Sequence, residues 1–574
     1  MAWLSTRRTP QGSKATAVKF TIAVPEGFAL EPAAFRQGFS ISPDGSQLAF
    51  TAMGEDGQNR LWIRALSELD SHELPAARGL HTVFWAPDGK SLYFGVSRSL
   101  RRIARDESGA YQIITDLSRR VPAAGAWLPA NQLLLSNRQS TFLVPADGGK
   151  ANELTETYLW PQILPDKQHI LYLVYDQKLG RFRLRVAKLG QPTSGHDILE
   201  TDSRASFVRS KNSQSIGYLV FVRAGTLLAQ GFDSKGFQLA GDATPLAGDV
   251  HFFQPTGAAD FSISETGTLV YQTLAKRSRI VWVDRSGREL DQVATGLFPV
   301  KYVRASRDAR KVAAVIHNMD KGATEIWVFD RASKVNQIVV PGPGIIDTPV
   351  WSADSMRLLY ARAVGSGPKL YGVGITDKTP EQALPSAEFQ LATDWSQDSR
   401  YVLYNTENVV DGDIGLVDLK SKRAMPILST SFHETGAVFS PDSRWVAFVA
   451  NNSGRPEVYV QAFQSGDTPG LIGERRRVSE QGALSVRWRR DGKELLYLGT
   501  DGVLYSVAVN VQDLGFGRPI ALFRIPIAWR AVLPTTFGFD VAEDGSRFLV
   551  AMTDEPSRGN FVVVENWEAL VSHH

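Results

Sequence analysis

Six polar side chains of this 574-residue sequence stand at similar places in a repeated unit, where they could bind a ligand. Each lies upstream of a short apolar segment that leads into a turn: His81, Gln254, Asp347, Asp394, His433 and Glu434. The three carboxylates would favour a cationic group or a basic peptide, and a histidine with its ordinary pKa of ~6.5 would make binding depend on pH. We therefore expect these six residues to form a binding surface for a ligand or a partner.

Several enzyme classes need motifs that the sequence lacks. Gly89-Lys90-Ser91 resembles the end of a phosphate-binding loop, but Phe84 stands where that loop needs a glycine. Gly342-Pro343-Gly344 lacks the third glycine of a dinucleotide fingerprint, and no Gly-x-Ser-x-Gly nucleophile motif occurs. We predict no catalytic residues and expect the protein not to be an enzyme.

Metal and nucleic-acid chemistry also lack support in the composition. Cysteine is absent, which excludes disulfides, thiolate metal sites and a cysteine nucleophile. The nine histidines lack metal-ligand spacing, and a net charge of +3 is too small to indicate nucleic acid. We predict no metal, no cofactor and no nucleic-acid partner. A basic cluster, Arg475–Arg477 with Arg487, Arg489 and Arg490, reads as a solvated strand edge or as a surface for an acidic partner.

Short β-strands separated by Asp-containing turns must position these side chains. In Phe439–Ala450, Pro441 presets φ for the turn and the Asp442 carboxylate can accept a backbone N–H. The strand that follows is apolar on both faces and should be buried on both. Equivalent turn aspartates, 44 to 53 residues apart in the second half, are Asp44, Asp88, Asp166, Asp308, Asp354, Asp398, Asp442, Asp491 and Asp544.

A period of ~40–50 residues with four short strands is typical of a β-propeller blade, and one ring holds ~4–8 blades. We count twelve units and predict an all-β fold of two tandem six-bladed β-propellers. The predicted divisions are a disordered or linker segment at 1–17, a first propeller at 18–278 and a second at 279–574. Units near Trp127 and Tyr218 have lost Pro-Asp-Gly, so their turns should be longer or less regular.

The pattern aromatic-Ser-Pro-Asp-Gly followed by an apolar strand resembles the TolB-like (PD40, WD40-like) β-propeller repeat over residues 18–567. Gly225–Asp233, Ser278–Gly287 and Phe561–Trp567 also resemble the C-terminal extracytoplasmic propeller region of acidobacterial-type serine/threonine kinases. The Gly-rich loop, the His-Arg-Asp loop and the Asp-Phe-Gly motif of kinases are absent from the sequence. The resemblance therefore implies a propeller and not kinase activity.

These observations favour a non-catalytic binding module for protein–protein or ligand recognition. The expected partner is a protein or peptide, or else a small ligand. No apolar stretch approaches the ~18 residues of a membrane span. The resemblance implies a periplasmic or otherwise extracytoplasmic location. Because this sequence shows no signal peptide, we expect export as part of a longer membrane-anchored protein. Two alternatives remain: the sensor region of a receptor kinase whose kinase domain is missing here, and a propeller hydrolase or lyase acting at a channel rim.

Overall fold

The computed structural model describes residues 16–571 except 31–36, 55–57, 97–98, 106–110, 118–123, 137–139, 177–180, 212–215, 254–255, 274–277, 298–299, 319–322, 343–344, 364–367, 379, 383–389, 407–411, 511–513, 526–537 and 554–559. In this part of the chain the only α-helix is a four-residue turn, and nearly all other regular structure is β. The predicted all-β class is confirmed. No helix among these residues combines the length and the apolar character that crossing a membrane requires.

The described residues of the first half form 26 strands. They are β1 (Val18–Ala23), β2 (Phe28–Ala29), β3 (Phe39–Ile41), β4 (Gln47–Gly54), β5 (Asn59–Ala65), β6 (His72–Arg78), β7 (Leu80–Trp85), β8 (Ser91–Val96), β9 (Ser99–Ala104), β10 (Tyr111–Asp116), β11 (Ala124–Leu128), β12 (Gln132–Ser136), β13 (Thr141–Pro145), β14 (Asn152–Leu154), β15 (Leu159–Ile163), β16 (His169–Asp176), β17 (Arg181–Lys188), β18 (Gln191–Thr201), β19 (Ala205–Arg209), β20 (Ile216–Arg223), β21 (Thr226–Asp233), β22 (Gln238–Ala247), β23 (Phe252–Phe253), β24 (Ala258–Ala259), β25 (Phe261–Ile263) and β26 (Thr268–Gln272).

The second half continues in the same way and ends in the short helix. Its elements are β27 (Ser278–Asp284), β28 (Glu289–Leu297), β29 (Val300–Ala305), β30 (Lys311–Asn318), β31 (Ala323–Asp330), β32 (Asn336–Val340), β33 (Ile345–Trp351), β34 (Arg357–Ala363), β35 (Pro368–Gly374), β36 (Glu381–Gln382), β37 (Leu391–Trp395), β38 (Tyr401–Asn405), β39 (Ile414–Asp418), β40 (Arg423–Leu428), β41 (Glu434–Phe439), β42 (Trp445–Ala450), β43 (Glu457–Gln464), β44 (Gly470–Arg477), β45 (Ala483–Trp488), β46 (Glu494–Gly499), β47 (Val503–Asn510), β48 (Gly515–Phe516), β49 (Ile520–Arg524), β50 (Phe539–Val541), β51 (Arg547–Thr553), β52 (Asn560–Glu565) and α1 (Glu568–Val571).

Most strands pair with their neighbours in sequence to give antiparallel sheets of four or five strands. Sheets β7–β10, β11–β14, β15–β18 and β19–β22 follow this pattern in the first half, and β29–β32, β33–β36, β37–β40 and β41–β44 follow it in the second. The short strands β23 and β24 form a separate two-stranded sheet. We call the strand before each Asp turn, or before the equivalent turn of a repeat that has lost the aspartate such as β11, the first strand of its sheet.

Two sheets combine segments that are far apart in sequence. In one, β52 lies between β1 and β26, so Val563 pairs with both Phe20 and Val270. In the other sheet the strand order is β28-β27-β51-β50, and Val281 of β27 pairs with Val550 of β51. The chain therefore passes from one half to the other after β26 and returns after β51. The division at residues 278 and 279 stays a prediction, but the pairing places β52 with strands of the first half.

The Asp turns owe their shape to local hydrogen bonds. In the turn after β41, the Ser443 N–H donates to the Ser440 carbonyl at 2.8 Å, and Ser443 has a positive φ of 55°. Asp442 Oδ1 accepts the Arg444 N–H at 3.1 Å and the Ser440 hydroxyl at 2.5 Å. In all nine turns named above, the aspartate accepts the N–H two residues further on at 2.9–3.1 Å. The carboxylate thus holds the chain in the reversal that starts the second strand.

One turn without Pro-Asp-Gly is shorter than the sequence predicts. Leu128 pairs with Gln132, so three residues connect β11 to β12. Ala130 and Asn131 both have positive φ values, 61° and 56°. Two consecutive left-handed residues reverse the chain within a small space, and asparagine tolerates that conformation. The expectation of a longer turn near Trp127 is wrong for this reason. The turn before Tyr218 contains residues 212–215, which lie outside the described residues, so that part of the prediction stays a prediction.

Aromatic side chains at the ends of first strands join neighbouring sheets. The indole N–H of Trp85 donates to the Ser40 carbonyl at 3.0 Å, that of Trp127 donates to the Trp85 carbonyl at 3.2 Å, and that of Trp351 donates to the Arg304 carbonyl at 3.1 Å. Strands after the turns are buried on both faces, as in β42, where every residue after Trp445 is buried. The sheets therefore pack face to face, with their first strands beside one another.

Candidate functional site

The structure places the six predicted site residues differently. His81 lies in β7, and Gln254 lies outside the described residues. His433 is half-buried just before β41; its backbone N–H donates to Asn451 Oδ1 at 2.9 Å, and its carbonyl accepts the Asn451 N–H at 3.2 Å. These bonds fix the start of the first strand of its sheet.

Two of the predicted carboxylates are buried. Asp347 in β33 is 3% exposed and forms an ion pair with Lys301 Nζ of β29. Glu434 at the start of β41 is fully buried, and its Oε1 accepts the Thr430 hydroxyl. Burial raises the pKa of Glu434, and its Oε2 has no hydrogen-bond partner among the described residues. The expectation of accessible rim side chains is therefore wrong for Asp347 and Glu434, and the binding role of all six residues stays a prediction.

Asp394, the third predicted carboxylate, connects three sheets. Its Oδ2 accepts the backbone N–H of Phe439 in β41 at 2.9 Å, and its Oδ1 lies 3.4 Å from Arg304 Nη2 of β29. Arg304 Nη2 also donates to the Thr393 carbonyl at 3.2 Å. A single carboxylate of β37 thus holds both its neighbour β41 and the more distant β29.

A second aspartate makes the same kind of connection. Asp540 Oδ2 in β50 accepts the Ala305 N–H of β29 at 2.8 Å, and its Oδ1 lies 3.8 Å from Arg487 Nε of β45. Arg304, Asp394, Arg487 and Asp540 form what we call the second-half charge cluster. It contains two positive and two negative side chains, contributed by four different sheets.

The cluster members share one position in the repeat, four residues before the turn aspartate, as Asp394 stands before Asp398. In the first half, Ser262 Oγ accepts the Ile41 N–H at 3.0 Å, and Gln162 Oε1 accepts the Phe207 N–H at 2.7 Å. A polar side chain at this position therefore bonds to the backbone of the following sheet in both halves. Sequence reasoning missed Arg304 and Asp540, and it placed Arg487 in a surface cluster although that side chain is buried. The spacing of all three from the turn aspartates could have found them.

Burial makes the electrostatics of the charge cluster strong. Burial lowers the pKa of the Arg487 guanidinium, and the positive charge of Arg304 acts in the same direction. The carboxylates of Asp540 and Asp394 oppose this effect. Since charges interact more strongly away from water, two arginines held this close need their two aspartates.

Another buried group lies where the two halves of the chain touch. The His317 ring in β30 stacks on Phe253 with centroids 6.4 Å apart and meets the edge of Phe252 at 6.3 Å. Burial lowers the pKa of His317 to about 3, and electrostatic interactions with His251 and Lys301 act in the same direction. The imidazole is therefore neutral across the physiological pH range.

The charged side chains of this region position neighbouring sheets. Among the described residues, no three His, Asp or Glu side chains are grouped as a metal ion would need. The carboxylates of the charge cluster accept backbone N–H groups, so their oxygens already hold the fold together.

Residues 310–519 match the family described as the TolB β-propeller domain, PD40. Similar solved structures include a putative TolB from Agrobacterium tumefaciens at 16% identity and a TM-score of 0.39, covering 49% of this chain and all of that one. TolB from Acinetobacter baumannii is 13% identical with a TM-score of 0.33, covering 54% of this chain and 82% of that one. The tricorn protease is 12% identical with a TM-score of 0.31, covering 85% of this chain and 63% of that one. The family match confirms the TolB-like repeat over residues 310–519, while the resemblance over the rest of residues 18–567 and the kinase resemblance stay predictions.

Proposed function

We propose that this chain, which carries a TolB β-propeller domain at residues 310–519, is a non-catalytic module that binds a protein or peptide partner outside the cytoplasm. The observation that carries the proposal is the second-half charge cluster. Its four charged side chains come from β29, β37, β45 and β50 and meet at the first strands. Convergence of side chains from separate repeats is how a propeller builds one binding site.

Contacts between first strands support two closed rings of six sheets. In the second half β29 contacts β33 and β50, β37 contacts β33 and β41, and β41 contacts β45. The ion pair between Arg487 and Asp540 closes this series. In the first half β3 contacts β25 and β7, and β11 contacts β15. Hydrogen bonds from Trp127 and Gln162 continue the series, and Arg204 beside β19 closes it by donating to the Phe261 carbonyl of β25. Two rings with separate axes would offer two places for a partner.

A non-catalytic role is supported by the hydrogen bonds and ion pairs that the carboxylates of the first strands already make within the fold. A general acid or base must reach the substrate with a free oxygen. Asp394 and Asp540 instead accept backbone N–H bonds, and Asp347 is paired with the half-buried Lys301. These groups are suited to holding the sheets in place around a binding surface.

Selection of peptides from a random display library on the immobilised chain tests this proposal. We expect peptides that share a sequence pattern, bind with one-to-one stoichiometry by fluorescence anisotropy, and are unchanged by mass spectrometry after incubation. Photo-crosslinking of these peptides should label first strands or Asp turns. Labelling of an outer strand such as β44, or the absence of any enriched pattern, would contradict the proposed site.

The proposal has two further parts that need their own measurements. Product release from a panel of peptides and polysaccharides would overturn the non-catalytic role in favour of a propeller hydrolase or lyase. Fractionation of the native cells with an antibody against this chain tests the location. Recovery with cytoplasmic marker proteins would overturn the extracytoplasmic assignment.

A further inference from the structure

Two arginines lie close together at the turn end of the second-half first strands. Arg307 stands one residue before its turn aspartate, Arg490 occupies the same place in the β45 unit, and both are half-buried. Burial lowers the pKa of Arg490, and the nearby positive charge of Arg307 also lowers it. The two guanidinium groups are therefore near enough to repel each other.

Both arginines reach across to other sheets. Arg490 Nη2 donates to the Ser306 carbonyl in the β29 unit at 2.9 Å. Arg307 Nη2 donates to the Trp395 carbonyl in β37 at 3.1 Å, and Arg307 Nη1 donates to Gln397 Oε1. These bonds hold both guanidinium groups in fixed places over the second-half charge cluster.

The hydrogen-bond acceptors of these two arginines are uncharged. A carbonyl or amide oxygen satisfies an N–H group but does not neutralise the positive charge. Arg304 and Arg487 below have Asp394 and Asp540 at 3.4 and 3.8 Å, whereas Arg307 and Arg490 have no carboxylate oxygen within 4.0 Å among the described residues. Exposed Glu543 and Asp308, and Asp540 below, act on Arg490 only from longer range. The positive charges of Arg307 and Arg490 therefore lack a carboxylate at ion-pair distance, and an anion bound between them would relieve their repulsion.

We propose that Arg307 and Arg490 form a carboxylate-binding site for an acidic peptide segment that approaches from the turn end of the second-half sheets. Arginine suits this task because its planar fork matches the two oxygens of a carboxylate. Half-burial strengthens the attraction while leaving the groups accessible. The inference rests on the proposed binding function and specifies the chemistry of the partner. It assigns Arg490 of the basic sequence cluster to a binding site and not to a solvated strand edge.

The test uses the full chain and a fluorescein-labelled peptide of alternating glycine and glutamate, with binding followed by fluorescence anisotropy. The same peptide with glutamine or phosphoserine in place of glutamate, and competition by inorganic phosphate, distinguish carboxylate from other anions. We expect the glutamate peptide to bind, the glutamine peptide not to bind, and high salt to weaken binding. Each of Arg307→Gln and Arg490→Gln should reduce affinity roughly tenfold, the effect of losing one charged hydrogen bond.

The matched control is the double variant Arg288→Gln with Arg310→Gln, which removes the same charge from two side chains that are 77% and 78% exposed. It should bind the peptide as the unaltered chain does. Arg490→Lys keeps the positive charge but loses the planar fork of the guanidinium, so it should weaken peptide binding without changing the melting temperature. This variant keeps the test decisive even if the double variant Arg307→Gln with Arg490→Gln has a lower melting temperature.

The inference would be overturned if the glutamate peptide did not bind, or if only the phosphoserine peptide or inorganic phosphate bound. It would also be overturned if the glutamine peptide bound equally well, or if the Arg307 and Arg490 variants kept the affinity of the unaltered chain. Library peptides that crosslink to first strands but lack acidic residues would also overturn it while leaving the proposed function standing. The two proposals can therefore fail separately.

Discussion

Phe561 offers a direct test of the sheet that joins distant parts of the chain. It lies in β52, is fully buried, and meets the rings of Phe39 and Phe50 edge-on at centroid distances of 4.9 and 5.1 Å. Phe39 and Phe50 belong to β3 and β4, more than 500 positions earlier in the sequence. The substitution Phe561→Ala therefore removes a contact between the end of the described chain and its beginning.

The size of the effect follows from the packing. Truncation of a buried phenylalanine to alanine costs about 3–5 kcal/mol, because burial is lost and a cavity remains. Two edge-on aromatic contacts place Phe561 toward the upper end of that range. Val562, the next residue, is only half-buried and serves as the control. We expect Val562→Ala to cost on the order of 1 kcal/mol.

Hydrogen exchange with mass spectrometry shows where the stability is lost. Phe561→Ala should speed exchange in β1, β3 and β4 and leave β29 and β30 of the second half unchanged, since local opening follows lost contacts. Urea denaturation gives the accompanying change in the free energy of unfolding. Faster exchange in β45 to β47 with no change in β3 and β4 would refute the assignment of β52 to the first half.

Substitutions at three other residues test half-buried and buried groups by urea denaturation. Asp394→Ala should cost about 2–4 kcal/mol, because the Phe439 N–H and Arg304 lose their acceptor, whereas Asp394→Asn keeps an oxygen and should cost about 1 kcal/mol; equal costs would argue against this role. His317 has a pKa of about 3 when folded and ~6.5 when unfolded, so the unfolded chain binds more protons between these values and stability falls as pH falls through that window. His317→Phe should remove this slope, and an unchanged slope would count against the buried neutral imidazole. Burial raises the pKa of Glu434, so its contribution to stability is lost as pH rises above ~4.5; Glu434→Gln should be more stable than the unaltered chain at pH 7, with a difference that shrinks in acid, and a less stable variant would contradict this.

Local chemistry made the turns predictable, and distant contacts made the site harder to predict. Asp442 forms its turn with residues two positions away, so its neighbours in sequence contain the whole explanation. Asp347 was found from its place before the first strand, but its burial depends on Lys301, which is 46 residues away. The apolar strand at Val563 would fit any sheet, so no local signal indicates its partners. Charge at a fixed repeat position, as at Arg304 and Asp540, was present in the sequence and was overlooked.

The position of β52 between β26 and β1 also determines how the protein carries mechanical force. Val18 lies opposite Glu565, so force applied at residues 16 and 571 opens the β1–β52 ladder from one end, one residue pair at a time. Opening in this order needs less force than sliding two strands past each other, because the hydrogen bonds break singly. The second half lies between β26 and β52 along the chain, and those two strands are bonded to each other. The second half therefore carries no tension until the hydrogen bonds between β26 and β52 break.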